Sequence, residues 1–133
     1  MHPKTVLRLE GAAVFAAALA AYVAVDGRLW LLLVLALAPD LSMLGYLAGA
    51  RAGSVVYNAA HTYVGPLALA AVGVLVATPL ATSVALVWAA HIGADRAVGY
   101  GLKYPSGFGD THLDRASTPD SASTHPTEPT SGR

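Results

Sequence analysis

Four long apolar runs, joined by connectors of a few residues each, constrain this chain more than any other feature. They cover residues 6–25, 29–50, 53–77 and 81–102. A helix of about 20 apolar residues crosses the hydrocarbon of a bilayer. The connectors "DGR", "GARAG" and "TPLATS" are short, which makes successive helices antiparallel neighbours. The predicted fold is therefore all-α: an integral-membrane, up-down four-helix bundle over residues 1–113. A soluble bundle would need charged outer faces, and "LWLLLVLALA" (29–38) is apolar all round. A chain of 133 residues cannot bury four such helices, so lipid must be the outer solvent. A cleaved leader is disfavoured, because Glu10 interrupts the first apolar run and no small-x-small site follows it.

Composition agrees. Charged residues make up 12% of the chain, against about 25% in soluble domains. The net charge of +0 gives no basic field for nucleic acid. With no cysteine, disulfides, thiolate metal sites and a cysteine nucleophile are excluded. Lys4, Arg8, Arg51, Arg96, Lys103 and Arg115 fall on one side of the predicted topology, and Arg28 on the other. Basic residues mark the cytoplasmic side. The expectation is a multi-pass inner-membrane protein with both termini in the cytoplasm. Residues 114–133 are rich in Ser, Thr and Pro with no apolar period, and read as a disordered tail in which His125 is a solvated residue.

The polar residues inside the runs are not scattered. Glu10 lies near the start of the first, Asp40 in the second, His61 early in the third, and His91, Asp95 and Arg96 late in the fourth. In an up-down bundle these positions share one layer in the cytoplasmic half. Ionisable residues within a membrane are expensive, face the bundle interior and mark function. His91 and Asp95 are i,i+4 and share a helix face. Pro39 and Pro66 should each break a helix and free carbonyls one turn back, near Leu35 and Ala36 and near Thr62. Freed backbone at membrane depth is tolerated where it lines a cavity. Asn58 is read as orienting His61, and Tyr57, Tyr63, Tyr100 and Tyr104 as interfacial residues, with Tyr63 nearest the site. Gly45 and Gly49 form a G-x-x-x-G, a face through which oligomers can pack. The segment 103–113 is broken by Gly and Pro. It could fold back as a lid and bring Asp110 and His112 to the layer.

Four motifs carry a resemblance: "RLEG" (8–11), "PDLSMLGYLAG" (39–49), "YNAAHTY" (57–63) and "AAHIGADRAVGYGLKYPSGFGDTHL" (89–113). In this order they resemble a family of small bacterial four-helix membrane proteins, the domain of unknown function DUF4260. The resemblance covers residues 7–113 and implies the four-helix membrane architecture. It implies no activity, so function rests on the site.

Several chemistries fit the polar layer. The leading one is a divalent metal, Zn, Fe or Mn, held by ligands drawn from Glu10, Asp40, His61, His91, Asp95, Asp110 and His112, in an enzyme acting on a lipid-like substrate. On that reading Asp40, His61, His91, Asp95 and Glu10 are also the catalytic candidates. A second is metal-free acid–base chemistry, in which a buried Asp40 or Glu10 protonates an isoprenoid as in a terpenoid cyclase. Haem between His61 and His91 is disfavoured by the surrounding carboxylates. Transport is disfavoured because the outer half of the bundle has no polar path. The remaining reading is structural: Glu10–Arg96, Asp40–His61 and His91–Asp95 pairs that only fix helix register.

Overall fold

The structure, a computed structural model, describes residues 1–116. Among them every regular element is helical. Helix α1 (Pro3–Ala24) starts with proline at a position that needs no amide donor, and His2 caps it. After a turn through Asp26, α2 (Leu29–Leu35) begins, and it gives way to a 3₁₀ helix over Ala38–Ala48. Proline at 39 supplies no N–H and crowds the carbonyl four residues back, so the α-helix cannot pass it. The Asp40 amide bonds Leu37 O instead of Ala36 O. Helix α3 (Ala50–Ala60) and α4 (Val64–Leu75) are one apolar run broken at His61–Tyr63, just ahead of Pro66. Helix α5 (Pro79–Val98) ends at Gly99, whose φ of 111° is left-handed. A short α6 (His112–Arg115) follows a loop.

The pairings are antiparallel. Arg8 on α1 bonds the Ala97 carbonyl of α5, and Gly11 and Phe15 meet Gly93. Gly45 faces Val56 and Gly53 of α3, and Gly65 and Gly73 of α4 face Trp88 and Thr82 of α5. Gly45 is thus occupied within the chain, and Gly49 sits in the turn before α3 with φ 110°.

Three helices are long and apolar enough to cross a membrane: Pro3–Ala24, Leu29–Ala48 and Ala50–Leu75. Leu33, Val34, Leu37, Leu41 and Leu44 are each 63–69% exposed, a surface no water-soluble bundle leaves uncovered. These features mark a membrane protein. The fourth run is the exception to the sequence expectation: α5 has the length but does not meet the same hydropathy standard. Its position explains why. Ala85, Val87, Ala90, Ile92, Gly93 and Arg96 of α5 are all buried, with α1 and α4 packed against it. A helix wrapped by its neighbours does not need an apolar face for lipid.

The loop after α5 folds back onto α3. Asn58 of α3 clamps the Lys103 backbone at both ends, its Nδ2 donating to Lys103 O and its Oδ1 accepting from Lys103 N, each at 2.7 Å. The loop continues into α6, where Asp114 pairs with Lys4 at 3.3 Å. The expected tail therefore begins no earlier than the end of α6, and the rest of it, with His125, lies outside the described residues.

At the α1–α5 crossing the two backbones meet through glycine. A Cβ on Gly93 would lie 2.7 Å from Phe15 N and 2.8 Å from Gly11 O. Gly93→Ala should destabilise the protein by about 1–3 kcal/mol in detergent. Gly107→Ala, where a Cβ meets nothing within 4 Å, should leave the unfolding temperature unchanged.

Candidate metal centre

Asp40, His61, His91 and Asp95 converge from three elements on one point. One ligand atom from each lies within 4.8 Å of all the others. The two Nε2 atoms are 3.2 Å apart. His61 Nε2 is 3.5 Å from both Asp40 Oδ1 and Asp95 Oδ2, and His91 Nε2 is 3.3 and 3.4 Å from the same atoms. Both imidazoles are buried, the Asp95 side chain is 18% exposed and that of Asp40 is 40% exposed.

The helix breaks build this arrangement. Because Pro39 ends the α-helix, the Ala36 carbonyl is free, and His91 Nδ1 bonds it at 2.5 Å. His61 stands at the end of α3, where its Nδ1 bonds Tyr57 O at 2.9 Å and its ring stacks on Tyr57 with centroids 3.8 Å apart. A carbonyl oxygen only accepts, so each Nδ1 carries the hydrogen. In a neutral ring Nε2 is then a lone pair, and both lone pairs point at the same place. This Nδ1–H···O=C support is the usual way a ligating histidine is oriented. The break before Pro66 frees two further carbonyls. Ala60 O accepts from Trp88 Nε1 at 2.6 Å, and His61 O accepts from Arg96 Nη2 at 2.9 Å. Arg96 also donates to Tyr100 O at 2.9 Å, which ties the α3–α4 break to the end of α5.

The donor set fits a divalent metal. Bonds of about 2.0–2.2 Å place tetrahedral ligand atoms about 3.3–3.6 Å apart. Five of the six separations, 3.2–3.5 Å, lie in or close beside that range; the sixth, between the two carboxylate oxygens, reaches up to 4.8 Å, so an aspartate must swing inward to complete the set. Two imidazoles with two carboxylates suit Zn, Fe or Mn.

The other sequence candidates are elsewhere. Glu10 projects from α1 into a different cavity, of about 430 Å³, shared with Tyr63 and Arg96; among the described residues no ion pair joins Glu10 to Arg96. Asp110 is drawn to Arg115, at 2.9 and 2.6 Å, and to Ser106; these bonds hold its carboxyl down to about 2. His112 Nδ1 accepts from Leu102 N at 2.8 Å, closing the loop rather than joining the cluster. Asn58 serves the loop and not His61. Tyr57, and not Tyr63, is the tyrosine at the site. Lys103, read as a topology determinant, is buried: its Nζ donates to Phe108 O at 2.7 Å and lies over the Phe108 and Tyr57 rings. Lys103, Tyr57, Asp40 and Asp95 line a cavity of about 300 Å³ beside the cluster. No sequence signal points Lys103 inward, because the loop that turns it is held by the distant Asn58 side chain.

Burial, with Arg96 nearby, holds the His112 imidazole below its ordinary value. Its neutral form therefore stabilises the closed loop above about pH 6.5, and that contribution is lost as pH falls through the lower folded value. Hydrogen exchange at the Leu102 amide, corrected for intrinsic rate, should speed up on acidification below about pH 6.5. Unchanged protection across that range would contradict this role.

No curated protein and no solved structure matches the chain. The profile of one family, Domain of unknown function (DUF4260), matches residues 4–116. That match takes in every element described above, and the chain belongs to this family.

Proposed function

We propose that this is a four-helix inner-membrane protein whose Asp40, His61, His91 and Asp95 bind one divalent metal and form the centre of an enzyme acting on a lipid-like substrate. The observation that carries the reading is the pair of Nε2 atoms 3.2 Å apart, each ring fixed by a bond from its Nδ1 to a backbone carbonyl. Two lone pairs and two carboxylates facing one point repel each other until a cation joins them. The metal would supply Lewis acidity and lower the pKa of bound water. Asp40 and Asp95 border the cavity of about 300 Å³, where a substrate can reach them. In the membrane the end bearing Lys4, Arg8 and Lys103 faces the cytoplasm, with both termini.

A specific observation favours a second reading. Four protein ligands make a closed set, as structural zinc sites do, so the metal could act as a staple between α3, α5 and the 3₁₀ helix. The metal-free acid–base reading has less behind it, since Asp40 faces two imidazoles and Glu10 shares its cavity with Arg96 and Tyr63, so neither sits alone in apolar surroundings. Haem also fits poorly. Two metal–nitrogen bonds on opposite faces of a porphyrin need about 4 Å between nitrogens, longer than the separation here.

Protein purified in mild detergent should carry about one divalent metal per chain, and His61→Ala and His91→Ala should each lose at least about tenfold in metal affinity. Equal, negligible metal in all three proteins would end the metal reading. Gentle chelation then separates enzyme from staple. A catalytic metal leaves the apoprotein folded, whereas removal of a structural one lowers the unfolding temperature sharply.

A further inference from the structure

Two cavities of opposite character flank the cluster. On one side Leu35, Ala38, Pro39, Ala60, Val84 and Trp88 wall an apolar cavity of about 200 Å³. On the other is the cavity of about 300 Å³ that holds both carboxylates, Lys103 and the rings of Tyr57 and Phe108. The division repeats along each element. Pro39 precedes Asp40 on the apolar side and Met43 follows on the polar side. On α5, Val84 and Trp88 precede His91, and Asp95 follows it. On α3, which runs the other way, Tyr57 is on the polar side and Ala60 on the apolar side of the site.

Among the described residues that line the polar cavity, Lys103 is the cation. Asp114 and Asp95 attract its ammonium, but among the described residues no carboxylate comes within ion-pair distance of it. Its one hydrogen bond is to Phe108 O, and the Phe108 and Tyr57 rings lie against the ammonium, a setting that leaves room for a charged partner. A divalent metal with Asp40 and Asp95 sums to zero charge, so Lys103 leaves the polar cavity one positive charge in excess. The apolar cavity has no such group. It is smaller than the roughly 300–1,000 Å³ of ordinary small-molecule pockets, a size for one hydrocarbon chain.

We propose that the two cavities form one substrate tract for a single-chain anionic amphiphile of the membrane, its chain in the apolar cavity beside Trp88 and its acidic head against Lys103. This deepens the metal-enzyme reading, on which the position of the reacting bond and the excess positive charge at the head subsite both rest; the chain subsite stands without it.

Trp88 reports on the tract. The chain has two tryptophans, so Trp30→Phe leaves Trp88 as the sole fluorophore. That protein, in unbrominated detergent micelles, is titrated with ω-bromododecyl phosphate, ω-bromododecanoate and ω-bromododecanol. At least one of the two anions should quench Trp88 saturably at a concentration about tenfold below the alcohol. Which of them quenches at the lower concentration tells a phosphate head from a carboxylate. Lys103→Gln should raise the anions to the alcohol's concentration, and Lys103→Arg should keep the preference. Equal quenching by all three probes, no quenching by any, or a preference unchanged in a folded Lys103→Gln overturns the tract. Metal content read on the same samples separates the two claims. Selective quenching without metal sinks the metal reading and leaves the tract, and normal metal with unselective quenching does the reverse.

Discussion

The structure depends on two hydrogen bonds from histidine Nδ1 to backbone carbonyls at broken helices. Ala36 O is available to His91 only because Pro39 stops the helix that would otherwise use it. His61 can turn its ring inward because it closes α3 instead of continuing it. Each break would be a defect in a lipid-facing helix, since hydrocarbon offers nothing to an unpaired carbonyl. Here the freed groups are taken up by His91, Trp88 and Arg96. The cost of interrupting two membrane helices is offset by the partners that orient the site.

The same reasoning explains the arrangement of the bundle. A helix carrying His91, Asp95 and Arg96 is expensive in lipid, and α5 is the helix its neighbours enclose. Around it stand helices that keep large apolar side chains on their outer faces. The charge that remains in the interior is concentrated at one level, between an apolar cavity and a polar one. A layer of this kind does little for stability, because buried ionic groups seldom improve on apolar packing.

Much of this was legible in the sequence, for reasons that also mark where legibility stops. Period and length gave the helical runs, and the prolines gave the breaks. Depth in an up-down bundle brought Asp40 level with His61, and helical spacing put His91 and Asp95 on one face. Glu10 shares that depth but not that direction, and depth alone cannot tell the two apart. Asp110 and His112 sit in the loop that folds back, yet Arg115 and the Leu102 amide claim them first. Lys103 looked like a membrane-flanking charge. Its burial follows from the Asn58 clamp, a contact between residues 45 positions apart that no local pattern encodes. The fourth run reads as a span like the others, and its lower hydropathy comes from the polar residues it carries at the enclosed centre.

X-ray absorption at the edge of the co-purified metal tests the central claim most directly. The account predicts two imidazole nitrogens at about 2.0–2.1 Å and a remainder of oxygen ligands at about 2.0–2.2 Å, with the imidazole scattering lost in His61→Ala and His91→Ala. A first shell of oxygen alone, or a spectrum unchanged by either substitution, would contradict it.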